Sequence, residues 1–275
     1  MPEVSGDLRK MKAELKQPVE YFLPIGDEVV AVNPLIGQKL KLEYQGEIHC
    51  IACGRKTNKS FNQGYCFPCL RSLARCDSCI IKPEQCHHAE GTCREPEWAE
   101  ENCMQPHVVY VANSSGLKVG ITRHSQIPTR WIDQGAAQAI PLLQTSQRYY
   151  AGLVETALKE HMNDKTDWRR MLKGEPEPVD MVAERERVLV LARDIIVSMH
   201  QQYGEPSVAV PASTEAVSLS FPVDHYPEKV KAHNFDKDPM VEGVLHGIKG
   251  QYLIFDTGVL NVRKFGGYHI KIFFS

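Results

Sequence analysis

Two Cys-x-x-Cys pairs, Cys50-Ile-Ala-Cys53 and Cys66-Phe-Pro-Cys69, constrain this 275-residue chain more than any other feature. Two residues between cysteines let the backbone turn so that both sulfurs face one ion. The loop between the pairs then returns the second pair to complete a tetrahedron. Gly54 and Gly64, beside the pairs, supply the backbone latitude such turns need. A thioredoxin-like redox pair and an iron–sulfur cluster are the alternatives. Two matched pairs suit a closed structural zinc site, whereas the redox reading calls for a single pair.

All nine cysteines fall between residues 50 and 103. That stretch has too few periodic apolar residues to build a core, so metal is expected to take the place of one. Cys76-Asp-Ser-Cys79 is a third knuckle, and with Cys86 and Cys93, the nearest thiols in sequence, it is expected to hold a second zinc. Cys103, His87, His88 and His107 remain alternative ligands, and eight candidates suffice even for two ions. Thiolate-rich sites of this kind are structural, so the zinc is read as scaffolding.

The remaining chain sets the boundaries. Apolar runs such as Val188 to Leu191 and Tyr252 to Phe255 fall far short of the roughly 20 residues of a membrane helix. The N-terminus has no apolar signal region, so a cytoplasmic location with reduced cysteines is expected. A net charge of −2 gives no whole-molecule positive field for nucleic acid. Local charge is different. Gly54 to Arg75 carries Arg55, Lys56, Lys59, Arg71 and Arg75 without an acid, and Leu117 to Ile132 carries Lys118, Arg123 and Arg130 without one. Phe61 lies within the first of these runs, Tyr65 and Phe67 follow, and aromatics among cations are what a single-stranded nucleic-acid surface uses. The plainer alternatives are a solvated face and an aromatic roof over the zinc. Arg55, Lys56, Lys59, Phe61 and Arg123 are the candidate nucleic-acid contacts.

Periodicity divides the chain into five segments. Residues 1–49 alternate as strands, residues 50–106 form the cysteine-rich module, and residues 107–204 read ββα followed by helices. In that third segment, Val108-Val-Tyr-Val-Ala and Leu117-Lys-Val-Gly-Ile-Thr flank a turn at Asn113-Ser-Ser-Gly. Pro128 and Gly135 bracket a short helix over Thr129 to Gln134, and apolar spacing predicts helices over Tyr150 to Met162 and Ala183 to Tyr203. Residues 205–237, rich in Pro, Ser and Ala, look like a connection. Residues 238–275 return to strands, and the two terminal β segments are expected to complete one small barrel. The fold class is therefore α+β, with a zinc-ribbon-like module and β-rich ends.

Residues 107 to about 172 resemble the GIY-YIG endonuclease superfamily. Val108-Val-Tyr110 looks like the Gly-Ile-Tyr strand and Lys118-Val-Gly120 like the Tyr-Ile-Gly strand, followed in order by Arg130 on a short helix and Glu155 on a later one. Several members likewise carry lysine at the position of Lys118. The resemblance implies a small antiparallel sheet with flanking helices and a divalent-metal-dependent phosphodiester hydrolase. Tyr110 would help deprotonate the nucleophilic water, with Lys118 easing the phenolate. Arg130 would clamp the scissile phosphate, Glu155 would hold one Mg²⁺ or Mn²⁺, and Gly120 would let the backbone approach the substrate. Asn163 is the candidate for the superfamily's late asparagine. The alternative is a non-catalytic zinc-dependent nucleic-acid-binding or adaptor protein that keeps the fold, with Glu155 and Lys159 as an ordinary helix pair. The runs Cys76-Asp-Ser-Cys79, Gly91-Thr-Cys-Arg-Glu-Pro, Ser114 to Arg123 and Arg130 to Ala136 also resemble a bacterial protein family to which no activity is attached.

Overall fold

Alternating segments from opposite ends of the chain fold into one sheet. The computed structural model describes residues 3–212 and 214–274. They divide into two units, one of residues 3–71, 172–174 and 219–274, the other of residues 72–171, 175–212 and 214–218.

In the first unit, β1 (Glu3–Asp7) and β5 (Lys39–Ile48) join the C-terminal strands β11 (Met240–Lys249), β12 (Tyr252–Phe255), β13 (Gly258–Asn261) and β14 (Tyr268–Phe274). The order is β1-β14-β5-β11-β12-β13, with every pairing antiparallel. Leu42 on β5 stands opposite Val241 on one side and Ile272 on the other, all three buried. The alternating pattern thus fixes the register, because a slip of one residue would expose this set. β2 (Lys12–Glu14), β3 (Glu20–Ile25) and β4 (Glu28–Ala31) form a separate three-stranded sheet. The strand path from β1 to β13 does not close on itself among the described residues, so the expected barrel is an open six-stranded sheet. A short helix, α1 (Phe67–Ser72), follows the second cysteine pair.

The second unit is built on β6 (His107–Asn113), β7 (Leu117–Arg123) and β8 (Gln138–Thr145), ordered β7-β6-β8. Every residue of β6 is buried. A central strand covered on both faces reads as a continuous apolar run, which Val108 to Ala112 supplies. Helix α2 (Pro96–Asn102) precedes β6, α3 (Thr129–Asp133) separates β7 from β8, and α4 (Arg148–Leu158) lays Ala151, Val154 and Leu158 on the core. After α5 (Trp168–Met171), the helix expected over Ala183 to Tyr203 is two helices, α6 (Met181–Leu191) and α7 (Arg193–Tyr203). Asp180 caps the first by accepting from the Val182 and Ala183 amides. Both halves keep their apolar spacing, with Val188 and Met199 buried, so periodicity does not reveal the break at Ala192.

Two segment boundaries differ from the sequence reading. The cysteine-rich stretch divides at residue 71, because its first part grows out of β5 while its later turns pack under α4. There the space beside Gly152 is filled by Pro83 and Glu84, and a Cβ would lie 2.6 Å from Pro83. Within residues 205–237, β9 (Val208–Ala209) and β10 (Val217–Ser218) both pair with β8, so part of that segment is sheet. No helix among the described residues is long and apolar enough to cross a membrane.

His107, which opens β6, is fully buried and has Nδ1 2.7 Å from the Gln105 carbonyl oxygen. Burial holds its pKa down at about 4, against an ordinary value of 6.5. Between those values the unfolded chain takes up a proton that the folded chain refuses, so stability falls as pH drops below 6.5. The expected loss from His107 between pH 7 and pH 5 is about 2 kcal/mol. Urea midpoints of wild type and His107→Gln at both pH values check this, and equal pH slopes in the two proteins would refute it.

Candidate functional site

The first cysteine pair sits where β5 ends. The turn Cys50 to Gly54 is closed by the Gly54 amide on the Cys50 carbonyl at 2.9 Å, and Gly54 has φ +72°. The loop returns through a tight hairpin in which the Phe61 and Tyr65 backbones pair, placing Cys66 and Cys69 at and within the start of α1. At Gly64, φ +139°, a Cβ would meet Ile51 at 2.7 Å, so only glycine lets the hairpin lie on the first knuckle.

The sulfurs of Cys50, Cys53, Cys66 and Cys69 all lie within 4.8 Å of one another, and Cys53 to Cys66 is 3.8 Å. That is far beyond a disulfide bond and equals the edge of a tetrahedron with metal–sulfur bonds of about 2.3 Å. Burial acts to raise the Cys50 thiol, but the amides of Cys66, Cys53 and Ala52 outweigh it and bring it down to about 6. Cys69 is pushed up by burial and by the three neighbouring thiols. Four thiolates this close repel one another, and a divalent cation is what lets them all ionise. The four-cysteine cluster therefore fits zinc.

Beside it the aromatic and basic side chains form an exposed patch. Phe67 is 52% exposed, its ring 5.7 Å from that of Phe61. Lys59 Nζ lies 5.2 Å from the Phe61 centroid, and the Arg71 guanidinium 5.9 Å from that of Phe67. Phe67 therefore offers about half of its surface to solvent. Other predicted contacts are engaged within the protein. Arg55 is held electrostatically by the Cys53 sulfur, Lys56 pairs with Glu47 at 2.6 Å, and Arg123 donates to Asn102 at 2.7 Å.

The second cysteine cluster is looser than its spacing suggested. Among the described residues, no three of Cys76, Cys79, Cys86, Cys93 and Cys103 share the 4.8 Å grouping of the first site. Cys79 instead groups with Asp77 and His87. Burial, together with Asp77, Cys86, Cys103 and Cys93, raises the Cys79 thiol to about 11. The short 3₁₀ turns here follow local hydrogen bonds, and Asp77 is held by Arg94 at 2.7 Å. His88 faces Glu100 at 3.2 Å.

In the second unit, Tyr110 on β6 stands opposite Gly120 on β7. A Cβ at Gly120 would lie 2.6 Å from the Tyr110 hydroxyl, so this glycine makes room for the tyrosine ring where a role in substrate approach had been expected. The Gln134 amide is 2.7 Å from that hydroxyl. With its oxygen turned to Arg130 it accepts from Nε and Nη2 at 3.3 and 3.1 Å while its nitrogen donates to Tyr110. The Arg130 guanidinium also acts on Tyr110, opposing part of the upward push of burial on its hydroxyl. Lys118 donates from Nζ to the Asp164 carbonyl at 3.2 Å, and Asn163 accepts the Val119 amide through its backbone oxygen at 2.8 Å. Glu155 faces Lys159 at 3.7 Å, the helix pair, which also reaches Asp164 at 3.5 Å.

These groups sense one another electrostatically. Burial raises Glu155, with Asp164 adding to it against Lys159, Lys118 and Arg148. Burial raises Tyr110, while burial and Arg130 bring Lys118 down to about 8. Gln134, Asp164 and Arg148 were not legible as site residues. Gln134 alone left a signal, standing four residues after Arg130 at the C-terminal cap of α3.

A family model described as "Protein of unknown function (DUF2797)" matches residues 37–270, a span that includes all nine cysteines and the whole Tyr110–Glu155 cluster. No curated protein and no solved structure matches the chain.

Proposed function

This chain belongs to the DUF2797 family, and we propose that it is a zinc-scaffolded, divalent-metal-dependent phosphodiester hydrolase of GIY-YIG type acting on nucleic acid. The observation that carries the reading is that Tyr110, Lys118, Arg130 and Glu155, spread over 45 positions of sequence and named together by the resemblance, lie near enough to act on one another electrostatically. The β7-β6-β8 order, with α3 between β7 and β8 and α4 after them, agrees with it.

Each group has a role its surroundings suit. Arg130 presents forked donors to the scissile phosphate, steadied by Gln134. Glu155, with Asp164 beside it, offers the carboxylate oxygens that Mg²⁺ or Mn²⁺ prefers. Such a cation, when bound, neutralises charge on the phosphate. Burial separates the two proton-transfer candidates, raising Tyr110 and lowering Lys118 to about 8, so Lys118 is the group poised to exchange a proton near neutrality. The exposed Lys59, Phe61, Phe67 and Arg71 patch supplies the grip, by stacking and phosphate pairing.

One observation favours the second reading, a non-catalytic zinc-dependent nucleic-acid-binding protein: Tyr110 is 0% and Lys118 3% exposed. Incubating the protein with labelled DNA and RNA and Mg²⁺ or Mn²⁺, beside Glu155→Ala, separates the two. Binding without cleavage by wild type leaves only the second, and absence of binding removes both. Phe67→Ala is expected to weaken single-strand binding by about 1–3 kcal/mol, roughly 5- to 150-fold, in a fluorescence anisotropy titration. An unchanged affinity would remove the patch from the interface.

A further inference from the structure

Asp7, His49 and His269 lie on or directly beside three neighbouring strands of the first unit. Asp7 ends β1, His269 is opposite it on β14, and His49 directly follows β5. Backbone bonds at or next to these positions hold them in place: the His49 amide to the Gly267 carbonyl at 2.7 Å, the Gly26 amide to the Asp7 carbonyl at 3.1 Å, and, joining the neighbours of Asp7 and His269, the Leu8 amide to the Tyr268 carbonyl at 2.9 Å. The pairing of β14 with β5 shifts register between Tyr268 and Ile270, so Gln45, Gly46 and Glu47 bulge opposite His269. A bulge of this kind re-aims a side chain, and such features concentrate at sites.

The side chains converge. His49 Nδ1 is 2.9 Å and His269 Nδ1 3.0 Å from the same Asp7 oxygen, Oδ1, and the three ligand atoms lie within 4.8 Å of one another. Separations near 3 Å are those between neighbouring ligands around an ion with bonds of about 2.0–2.2 Å.

The outer ring nitrogens have partners of the kind a metal-bound imidazole uses. His269 Nε2 is 3.3 Å from Ser5 Oγ, and His49 Nε2 faces the Glu47 carboxylate at 3.8 Å, itself held by Lys56 at 2.6 Å. With a cation on both Nδ1 atoms, the Nε2–H of His269 would meet Ser5 Oγ and that of His49 would face the Glu47 carboxylate. A ligating histidine whose other N–H meets a carboxylate or hydroxyl is the usual outer shell of a metal site.

We propose that Asp7, His49 and His269 bind one divalent first-row transition cation, of the Zn²⁺, Co²⁺ or Fe²⁺ type, separate from the thiolate zinc. Two imidazoles and one carboxylate suit these ions. The side chains are 21%, 25% and 33% exposed respectively, so the remaining coordination positions open to solvent and admit water or a small anion. Three protein ligands with an open position are the arrangement of reactive sites, in contrast to the closed four-thiolate site that begins one residue later at Cys50.

Cobalt distinguishes the two environments in the full chain, because thiolate ligation gives an intense sulfur-to-metal charge-transfer band that an N₂O donor set lacks. Wild type, His269→Ala and Asp7→Asn, loaded with Co²⁺ by equilibrium dialysis under reducing conditions, are compared by metal content and absorption. The expected result is one cobalt fewer per chain in each variant, with the charge-transfer band at wild-type strength. Equal metal content in all three proteins overturns the proposal. Where a variant also loses that band, ¹⁵N spectra of wild-type imidazoles decide. Zn²⁺ should move the Nδ1 resonances of His49 and His269, and unmoved resonances would show hydrogen bonding only.

Discussion

Cys66→Ser is expected to empty the first zinc site and melt the segment from residue 50 to 71. Cys66 is 2% exposed, its sulfur 3.8 Å from that of Cys53, and its backbone carbonyl accepts the Leu70 amide at the start of α1. Serine keeps the backbone but removes one of four thiolates. Structural zinc contributes on the order of 10–16 kcal/mol of apparent binding energy to modules that fold around it. Losing one ligand removes several kcal/mol of that, more than such a segment holds in reserve. Residues 52–56 are all exposed and contribute no core. Zinc content should fall by one per chain relative to wild type. Hydrogen exchange should speed up at the Cys50, Ile51 and Gly54 amides, bonded to Arg55, Gly64 and Cys50, while Val241 and Ile272 in the sheet keep their protection. A variant with undiminished zinc and unchanged exchange would mean that the four sulfurs do not form the site.

What the sequence made legible follows the range of the interactions. Cys50, Cys53, Cys66 and Cys69 were readable because a knuckle is local: two intervening residues determine where two sulfurs point. The ends of β6, β7 and α3 were readable for the same reason, from the turn at Asn113 to Gly116 and the Pro128 and Gly135 brackets. The cluster of Asp7, His49 and His269 was not, since His49 and His269 are brought together by strand register across more than two hundred residues. The second cysteine cluster lay between these cases. Its members were visible, but which side chains meet depends on a run of 3₁₀ turns with no periodicity to read. Gly120 shows the same limit at one position. Its smallness was plain in the sequence, whereas its neighbour, the Tyr110 ring, appears only once β6 and β7 are paired.

Arg130→Ala and Glu155→Ala are expected to lower phosphodiester cleavage at least 10²- to 10³-fold each while leaving nucleic-acid affinity within a few-fold of wild type. Removing one preorganised donor aimed at developing charge costs about 2.7–4 kcal/mol of transition-state stabilisation. On the proposed reading Arg130 is such a donor, and Gln134 fixes it at 3.1 and 3.3 Å. Glu155 is already raised by burial and by Asp164, so its carboxylate carries a cost that a bound cation would relieve. Affinity should hold if the exposed patch around Phe67 is the proposed stacking surface, because it lies in the first unit and neither residue belongs to it. A structural role alone predicts a different pattern: Arg130→Ala would lower stability by loosening Gln134 and Tyr110, and any activity loss would track the unfolded fraction. Rates measured well below each variant's unfolding transition, across Mg²⁺ concentrations, separate the two. Weaker apparent Mg²⁺ affinity in Glu155→Asp, but not in Arg130→Lys, would place the cation on Glu155. Identical Mg²⁺ dependence in both conservative variants would remove Glu155 from the metal-binding role and leave Arg130 as a phosphate contact only.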